Sequence, residues 1–181
     1  PVLILPPFAG RHGNVVQNMV DRLVAEGRTV YAYELHSATI DTNSTSISDL
    51  VDIVDQCVAE IGEQVDLVGC CQGGWLASLF TALHPKKVKR LALFAAPINM
   101  RTGQDNVIED YCKTASISMH KTMVALNGGI QLGTLQWLAF SMMSPYEIYC
   151  GRFMKLNSMI MNDDYEGIAK WNKNNGWYDS P

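Results

Sequence analysis

The sequence lacks any run of 18 or more consecutive apolar residues, although hydrophobic residues make up 48% of its 181 positions. The most apolar late stretch, residues 132–143, is short and is interrupted by Gln136 and Ser141. A membrane-spanning helix needs about 20 apolar residues in succession. We therefore expect no transmembrane segment, and a chain of this length is expected to bury its apolar residues in one domain.

Positive charge is scarce as well. The sequence has 14 Lys and Arg residues against 18 Asp and Glu residues, which gives a net charge of −4. The densest basic stretch, residues 86–90, has four basic residues, which argues against nucleic acid as the main partner. Cysteine is present without a regular spacing, at positions 57, 70, 71, 112 and 150. This odd number fits free thiols in a reducing compartment, so we expect a cytoplasmic protein. No pair of His, Cys or carboxylate residues has metal-ligand spacing, and no metal is expected.

Apolar patterning alternates between two kinds of segment over residues 1–99. Short runs of β-forming residues predict strands, and apolar positions every three or four residues predict helices. The predicted strands are 2–5, 29–35, 65–68 and 88–95, and the predicted helices are 14–26, a segment capped by Ser46 that continues to Ile61, and 73–84. Near-continuous apolar strands separated by helices predict an α/β fold with a mostly parallel sheet covered on both faces. Ligands bind such sheets at the carboxyl ends of the strands.

The alternation stops after Met100, and eight of the nine Met residues lie between Met100 and Met161. Met is flexible and polarizable, which suits an adaptable apolar surface. We therefore predict three parts: an N-terminal part of the core (1–99), a mostly helical, Met-rich lid insertion (100–170) and a return towards the core (171–181). Ordinary core helices are the alternative for the second part.

The strongest motif is Gly-Cys-Cys-Gln-Gly-Gly at Gly69–Gly74, between a predicted strand and a predicted helix. This pattern is typical of the nucleophile elbow of α/β-hydrolase-type folds, with Cys71 in place of Ser. The sharp turn requires small neighbours two residues to either side, which Gly69 and Gly73 supply. Gly74 then lets the helix pack close to the sheet. Two buried cysteines in a strand–helix turn are the alternative.

The chemistry of this position favours a reactive thiol. Cys71 would stand at a helix N-terminus, where the helix dipole favours the thiolate. The backbone N–H of Gln72 would point at a developing oxyanion. Cys70 is expected to face the interior of the sheet.

The loop after the first strand, residues 6–13, is expected to complete the oxyanion hole with a backbone N–H. Phe8 is the first candidate for this donor and Ala9 the second. His12 lies in the same loop, where a bracing role is favoured over that of a base. The other three His, at 36, 84 and 120, have no motif around them.

A Cys nucleophile that attacks a thioester forms another thioester of similar energy, so the acyl group can be passed onward. An elbow Cys therefore fits acyl transfer, although cysteine hydrolases with this elbow exist.

Taken together, these segments resemble those of polyhydroxyalkanoate synthases. The resemblance rests on the elbow, on Leu-His-Pro-Lys-Lys-Val-Lys-Arg-Leu at 83–91, on Ala-Ala-Pro-Ile-Asn at 95–99 and on the opening Pro-Pro-Phe-Ala-Gly at 6–10. Residues 143–145 and 177–181 are similar to the family's lid segment. Gln72 departs from the residue expected most often after the Cys.

The resemblance implies polymerisation of hydroxyacyl groups from coenzyme A thioesters, with the growing chain carried on Cys71. It implies no bound cofactor, a hydroxyacyl-coenzyme A substrate, and contact with a polymer granule surface in the cytoplasm, while a homodimer stays open. The family also uses an Asp and a His in later loops. We expect these beyond Pro181, so neither is assigned and the chain as given is expected to be inactive alone.

Two other functions remain open. One is a cysteine hydrolase of the dienelactone-hydrolase or esterase/depolymerase type, which product analysis would distinguish from a transferase. The other is a non-catalytic α/β-hydrolase-like binding protein, should the chain be complete. The acyl chain length and the oligomeric state do not follow from the sequence.

Overall fold

The computed structural model describes residues 1–8, 14–99, 116–134, 146 and 150–169. Within these residues the strands are β1 (Val2–Leu5), β2 (Val30–Ala32), β3 (Val65–Cys70) and β4 (Val88–Phe94). The longer helices are α1 (Asn14–Ala25), α2 (Ile47–Ile61), α3 (Gln72–Leu83), α4 (Ile117–Leu126) and α5 (Arg152–Met161), and a short 3₁₀ helix spans Ile40–Thr42.

The four strands form one sheet in the order β2-β1-β3-β4, and every pairing is parallel. In the register, Leu3 lies between Tyr31 of β2 and Leu67 of β3, and Leu67 lies beside Leu91 of β4. The predicted α/β class and parallel sheet are confirmed. Because the strands are parallel, all four carboxyl ends lie at one edge of the sheet.

Helices cover both faces of this sheet. On one face, Leu3 and Leu67 are buried with Val54 of α2 and Phe80 of α3. On the other face, Val2, Ile4 and Cys70 pack against a row of α1 and sheet residues, namely Val16, Met19, Val20, Leu23, Val30 and Val68. The apolar side chains whose spacing predicted the helices thus face the sheet. Burial of these side chains supplies most of the driving force for folding.

The start of α2 confirms the predicted cap. The Ser46 hydroxyl accepts a hydrogen bond from the Asp49 N–H at 3.2 Å, and the Asp49 carboxylate accepts one from the Ser46 N–H at 2.7 Å. The hydrogen bonds that the Ser46 N–H and the Ser46 hydroxyl donate to this carboxylate, the second at 2.8 Å, lower the pKa of Asp49. The helix ends at Gly62, whose φ of 79° suits glycine.

Three strands differ from their predictions, and β3 runs two residues beyond the predicted 65–68. β2 is shorter than 29–35 because the chain leaves the sheet after the Tyr33 N–H donates to the Ile4 carbonyl at 2.9 Å. β4 has the predicted position, but it is not buried on both sides. Its apolar residues Leu91, Leu93 and Phe94 are 37, 44 and 52% exposed. The reason is its place at the sheet edge, where no other described strand pairs with it.

The helices α4 and α5 bury none of their described side chains. Their large apolar side chains are instead exposed, among them Ile117, Met119, Leu126, Phe153, Met154, Ile160 and Met161. These two helices are therefore exposed within the described residues, and the lid insertion stays a prediction beside the alternative of ordinary core helices. Residues 100–115, 135–145, 147–149 and 170–181 lie outside the described residues, so the three-part division of the chain stays a prediction. Within the described ranges, no helix is long and apolar enough to cross a membrane.

Candidate active site

A turn of one residue joins β3 to α3. The strand ends at Cys70 and the helix begins at Gln72, so Cys71 alone reverses the chain. Its φ of 50° and ψ of −122° are conformations that a side-chain-bearing residue rarely adopts. Such a backbone conformation costs roughly 1–3 kcal/mol of folding free energy. It persists where the surrounding structure enforces it, most often at functional sites.

Both backbone groups of Cys71 are held by hydrogen bonds. Its N–H donates to the Phe94 carbonyl at the end of β4 at 2.9 Å. Its carbonyl accepts from the Gly74 N–H in the first turn of α3 at 2.8 Å. The turn is therefore tied to the neighbouring strand and to its own helix, while Cys71 itself is partly exposed.

The three elbow glycines lie where no side chain fits. A Cβ on Gly69 would come within 2.5 Å of the Gly74 Cα atom, so α3 packs directly on β3. A Cβ on Gly73 would overlap the backbone oxygens of Leu5 and Pro6 at the end of β1. A Cβ on Gly74 would overlap that of Ala96, in the loop after β4. Three strands thus meet at the start of α3.

The loop after β1 lies beside the elbow. Besides the approach of Leu5 and Pro6 to Gly73, the Phe8 ring packs edge-on against the Trp75 ring of α3, with centroids 5.5 Å apart. The structure therefore brings Phe8 and the start of α3 together, while the role of the Phe8 N–H as an oxyanion donor stays a prediction. The further candidates Ala9 and His12 lie outside the described residues.

The remaining thiols differ in their surroundings. Cys70 is buried as predicted, and burial, with Cys71 next to it, raises its pKa. Burial also raises the pKa of Cys57, with a contribution from Glu60. Both thiols therefore hold their protons more firmly than a free cysteine. Cys150 is exposed, and Cys112 lies outside the described residues.

His84 lies too far from Cys71 to act as its base. His84 caps the far end of α3, about 20 Å from Cys71 at 1.5 Å per residue. There its Nδ1 atom lies 3.9 Å from an Asp55 oxygen and its ring packs on Phe80. Among the described residues, no group of three His, Cys, Asp or Glu side chains could hold a metal ion.

The sequence did not reveal the part played by the loop after β4. Ala95 has a φ of 49°, a second strained residue next to the elbow, and Ala96 is the residue that Gly74 contacts. The Ile98 N–H closes the loop on the Ala96 carbonyl at 2.9 Å. The available signal was a pair of small residues before Pro97, directly after a strand that neighbours the elbow strand.

A parallel sheet with helices on both faces and a one-residue elbow after its third strand defines an α/β hydrolase. Residues 1–114 match the family model described as the alpha/beta hydrolase fold, and the chain belongs to this family. Among curated proteins, it is 24% identical over 172 residues to the poly(3-hydroxyalkanoate) polymerase subunit PhaC of Allochromatium vinosum, covering 91% of this chain and 46% of that protein. The subunit PhaC of Haloarcula marismortui is 25% identical over 156 residues, covering 82% of this chain and 32% of that protein.

These relatives confirm the resemblance to polyhydroxyalkanoate synthases that the motifs indicated. The chain spans about half the length, or less, of the curated relatives it matches. Among solved structures, a thioesterase domain from the curacin biosynthetic pathway overlaps 62% of this chain and 41% of its own, with 23% identity and a TM-score of 0.47.

Proposed function

We propose that this chain carries the nucleophile of an acyltransferase that polymerises hydroxyacyl groups from coenzyme A thioesters, with Cys71 as the acyl carrier. The observation that supports this most is the strained one-residue turn, which holds Cys71 between β3 and α3 with φ at 50°. A turn under strain at the carboxyl edge of a parallel sheet presents its side chain to a ligand. The polymerase relatives support the choice of reaction.

In the proposed reaction, the Cys71 thiolate attacks the thioester carbonyl. A carbon–sulfur bond to Cys71 forms, the bond to the coenzyme A sulfur breaks, and coenzyme A leaves as its thiol after taking up a proton. The N–H groups of Gln72 and Phe8 are the proposed donors to the oxyanion, and losing one such donor costs about 10²–10³-fold in rate. The hydroxyl of a second hydroxyacyl thioester then attacks the Cys71 acyl group, which forms an ester and returns the thiol.

This reaction needs no bound cofactor, because coenzyme A arrives with the substrate. The proposed partners are hydroxyacyl-coenzyme A and the surface of a polymer granule in the cytoplasm. Exposed apolar side chains on α4 and α5, such as Ile117, Leu126 and Phe153, support contact with an apolar polymer. These same side chains would also suit a second copy of the chain, so a homodimer belongs to the proposal's test.

The test is to incubate the full-length protein with a hydroxyacyl-coenzyme A and to map the acyl group by mass spectrometry. We expect an adduct on Cys71 and ester-linked products. In Cys71→Ala, the adduct should be absent from position 71 and the rate of product formation should fall by at least about 10³-fold. Cys57→Ser, a control change at another half-buried thiol, should keep the adduct and the products. Free acid as the main product would favour the hydrolase. Full activity of Cys71→Ala would overturn the proposal.

A further inference from the structure

One side-chain hydrogen bond joins the core to the turn after α4. The Asn43 Nδ2 atom donates to the Gly128 carbonyl oxygen at 3.2 Å, across 85 residues of sequence. From this contact and its fit we propose that Asn43 is a latch that positions α4 at the edge of the sheet where Cys71 lies. For its effect on substrate, the inference rests on the proposed acyltransferase function.

The turn that Asn43 grips is built from two glycines. Gly128 and Gly129 have φ values of 69° and 87° and end α4, and the Gly129 N–H donates to the Val124 carbonyl at 2.9 Å. A Cβ on Gly129 would lie 2.6 Å from the Asn43 Nδ2 atom, whereas a Cβ on Gly128 would meet nothing within 4 Å. Gly129 therefore leaves room for the amide, whereas an added methyl at Gly128 would enter open space.

On the core side, Asn43 stands on a braced turn. It ends the 3₁₀ helix Ile40–Thr42, where the Thr42 hydroxyl accepts from the Thr39 N–H at 2.8 Å. The Thr45 hydroxyl donates to the Thr42 carbonyl at 2.8 Å, directly before Ser46 caps α2. Since α2 is packed in the core, the amide of Asn43 is held from a fixed base.

Asn43 and Cys71 both follow the carboxyl ends of strands, at the same edge of the sheet. The loop that carries Asn43 follows the carboxyl end of β2, and Cys71 follows the carboxyl end of β3 in the same parallel sheet. The latch thus fastens α4 to the edge that bears the proposed nucleophile. Because α4 buries none of its side chains, this hydrogen bond is a contact through which the core can hold it. Such a bond favours the closed arrangement about 2- to 10-fold, weak enough to release as substrate enters and leaves.

The experiment measures hydrogen exchange of residues 117–126 in the full-length protein. Asn43→Ala should speed this exchange about 2- to 10-fold and leave β1 and β3 unchanged. Gly128→Ala and Gly129→Ala both place a side chain at positive φ, so Gly128→Ala is the matched control. In the wild-type background, Gly129→Ala should speed the exchange of residues 117–126 more than Gly128→Ala does. When each change is combined with Asn43→Ala, the two should speed it equally. Unchanged exchange in Asn43→Ala, or equal effects of the two glycine changes beside Asn43, would overturn the latch.

A kinetic measurement tests its positioning role. Asn43→Ala should raise the KM for hydroxyacyl-coenzyme A about 2- to 10-fold and leave kcat within twofold, because Asn43 is not assigned to the reacting atoms. An unchanged KM beside faster exchange would overturn the positioning role. Failure of the wild-type protein to acylate Cys71 would count against the proposed function, while the exchange results would still decide whether the latch exists.

Discussion

The elbow and the Met-bearing helices α4 and α5 are held in opposite ways. At the elbow, three glycines leave no room for a single added carbon, and the backbone groups of Cys71 are tied to β4 and α3. In α4 and α5, no described side chain is buried, and the latch at Asn43 is a single hydrogen bond. The comparison indicates a fixed turn at Cys71, the proposed nucleophile, and two helices that can move, as expected where substrates must enter and products leave.

The largest expected effect is a loss of folding stability from a substitution at the elbow. Gly73→Ala should destabilise the protein by about 3 kcal/mol, because the added methyl overlaps backbone oxygens that cannot rotate away. Chemical denaturation monitored by circular dichroism measures the free energy of unfolding. Gly27→Ala is the control, since it adds the same methyl in open space and bears only the strain of its positive φ. Equal losses for the two variants would mean that the elbow can relax.

The second prediction compares the two regions directly. Amides of α4 and α5 should exchange with solvent about 100-fold faster than those of β1 and β3, because segments with little buried surface open at low free energy. Hydrogen-exchange mass spectrometry resolves both regions in one experiment. Equal protection of the helices and the strands would remove the lid interpretation.

The third prediction concerns the thiols at the rigid site. Limited alkylation should modify Cys71 at least about tenfold faster than Cys70 or Cys57, because burial raises the pKa of both of those thiols and they hold their protons more firmly. Peptide mapping identifies the labelled positions. We also expect Cys71 to react before Cys112 and Cys150, and a Cys150→Ser variant simplifies the map. Preferential labelling at Cys57, Cys112 or Cys150 would contradict the elbow assignment.

Features set by neighbouring residues could be predicted from the sequence. The strands, the cap at Ser46 and the turn at Gly69–Gly74 each follow from local spacing, and the structure has them. Contacts between distant segments could not be predicted, because the fit of Ala96 to Gly74 or of Asn43 to Gly129 leaves no local pattern. The exposure of β4 was missed for a related reason. An apolar run predicts a strand equally well at the centre and at the edge of a sheet.

The smallest expected effect tests whether the rigidity of the sheet reaches beyond the elbow. Asp66 of β3 lies between two arginines: Arg90 of β4 donates to both of its carboxylate oxygens at 2.9 and 2.7 Å, and Arg28 donates at 2.6 Å. The Asp66 side chain is 15% exposed and that of Arg90 is 65% exposed. A partly exposed network of this kind stabilises a fold by about 1 kcal/mol, so Asp66→Asn should cost about that much at pH 7.

The pH dependence of that difference separates the charge of Asp66 from its shape. The hydrogen bonds from Arg90, followed by the charges of Arg90 and Arg28, lower the pKa of Asp66 against an opposing effect of desolvation. A carboxyl whose folded pKa is lowered stabilises the fold above its unfolded pKa of about 3.9 and loses that contribution as pH falls through the folded value. The difference between wild type and Asp66→Asn should therefore be constant from pH 7 to 5 and shrink below about pH 4. Urea denaturation across this range measures it, with Arg90→Ala as the partner change in a double-mutant cycle. A difference that persists unchanged at low pH would assign the effect to packing, and the ion pairs of Asp66 would then add nothing to the rigidity of the sheet.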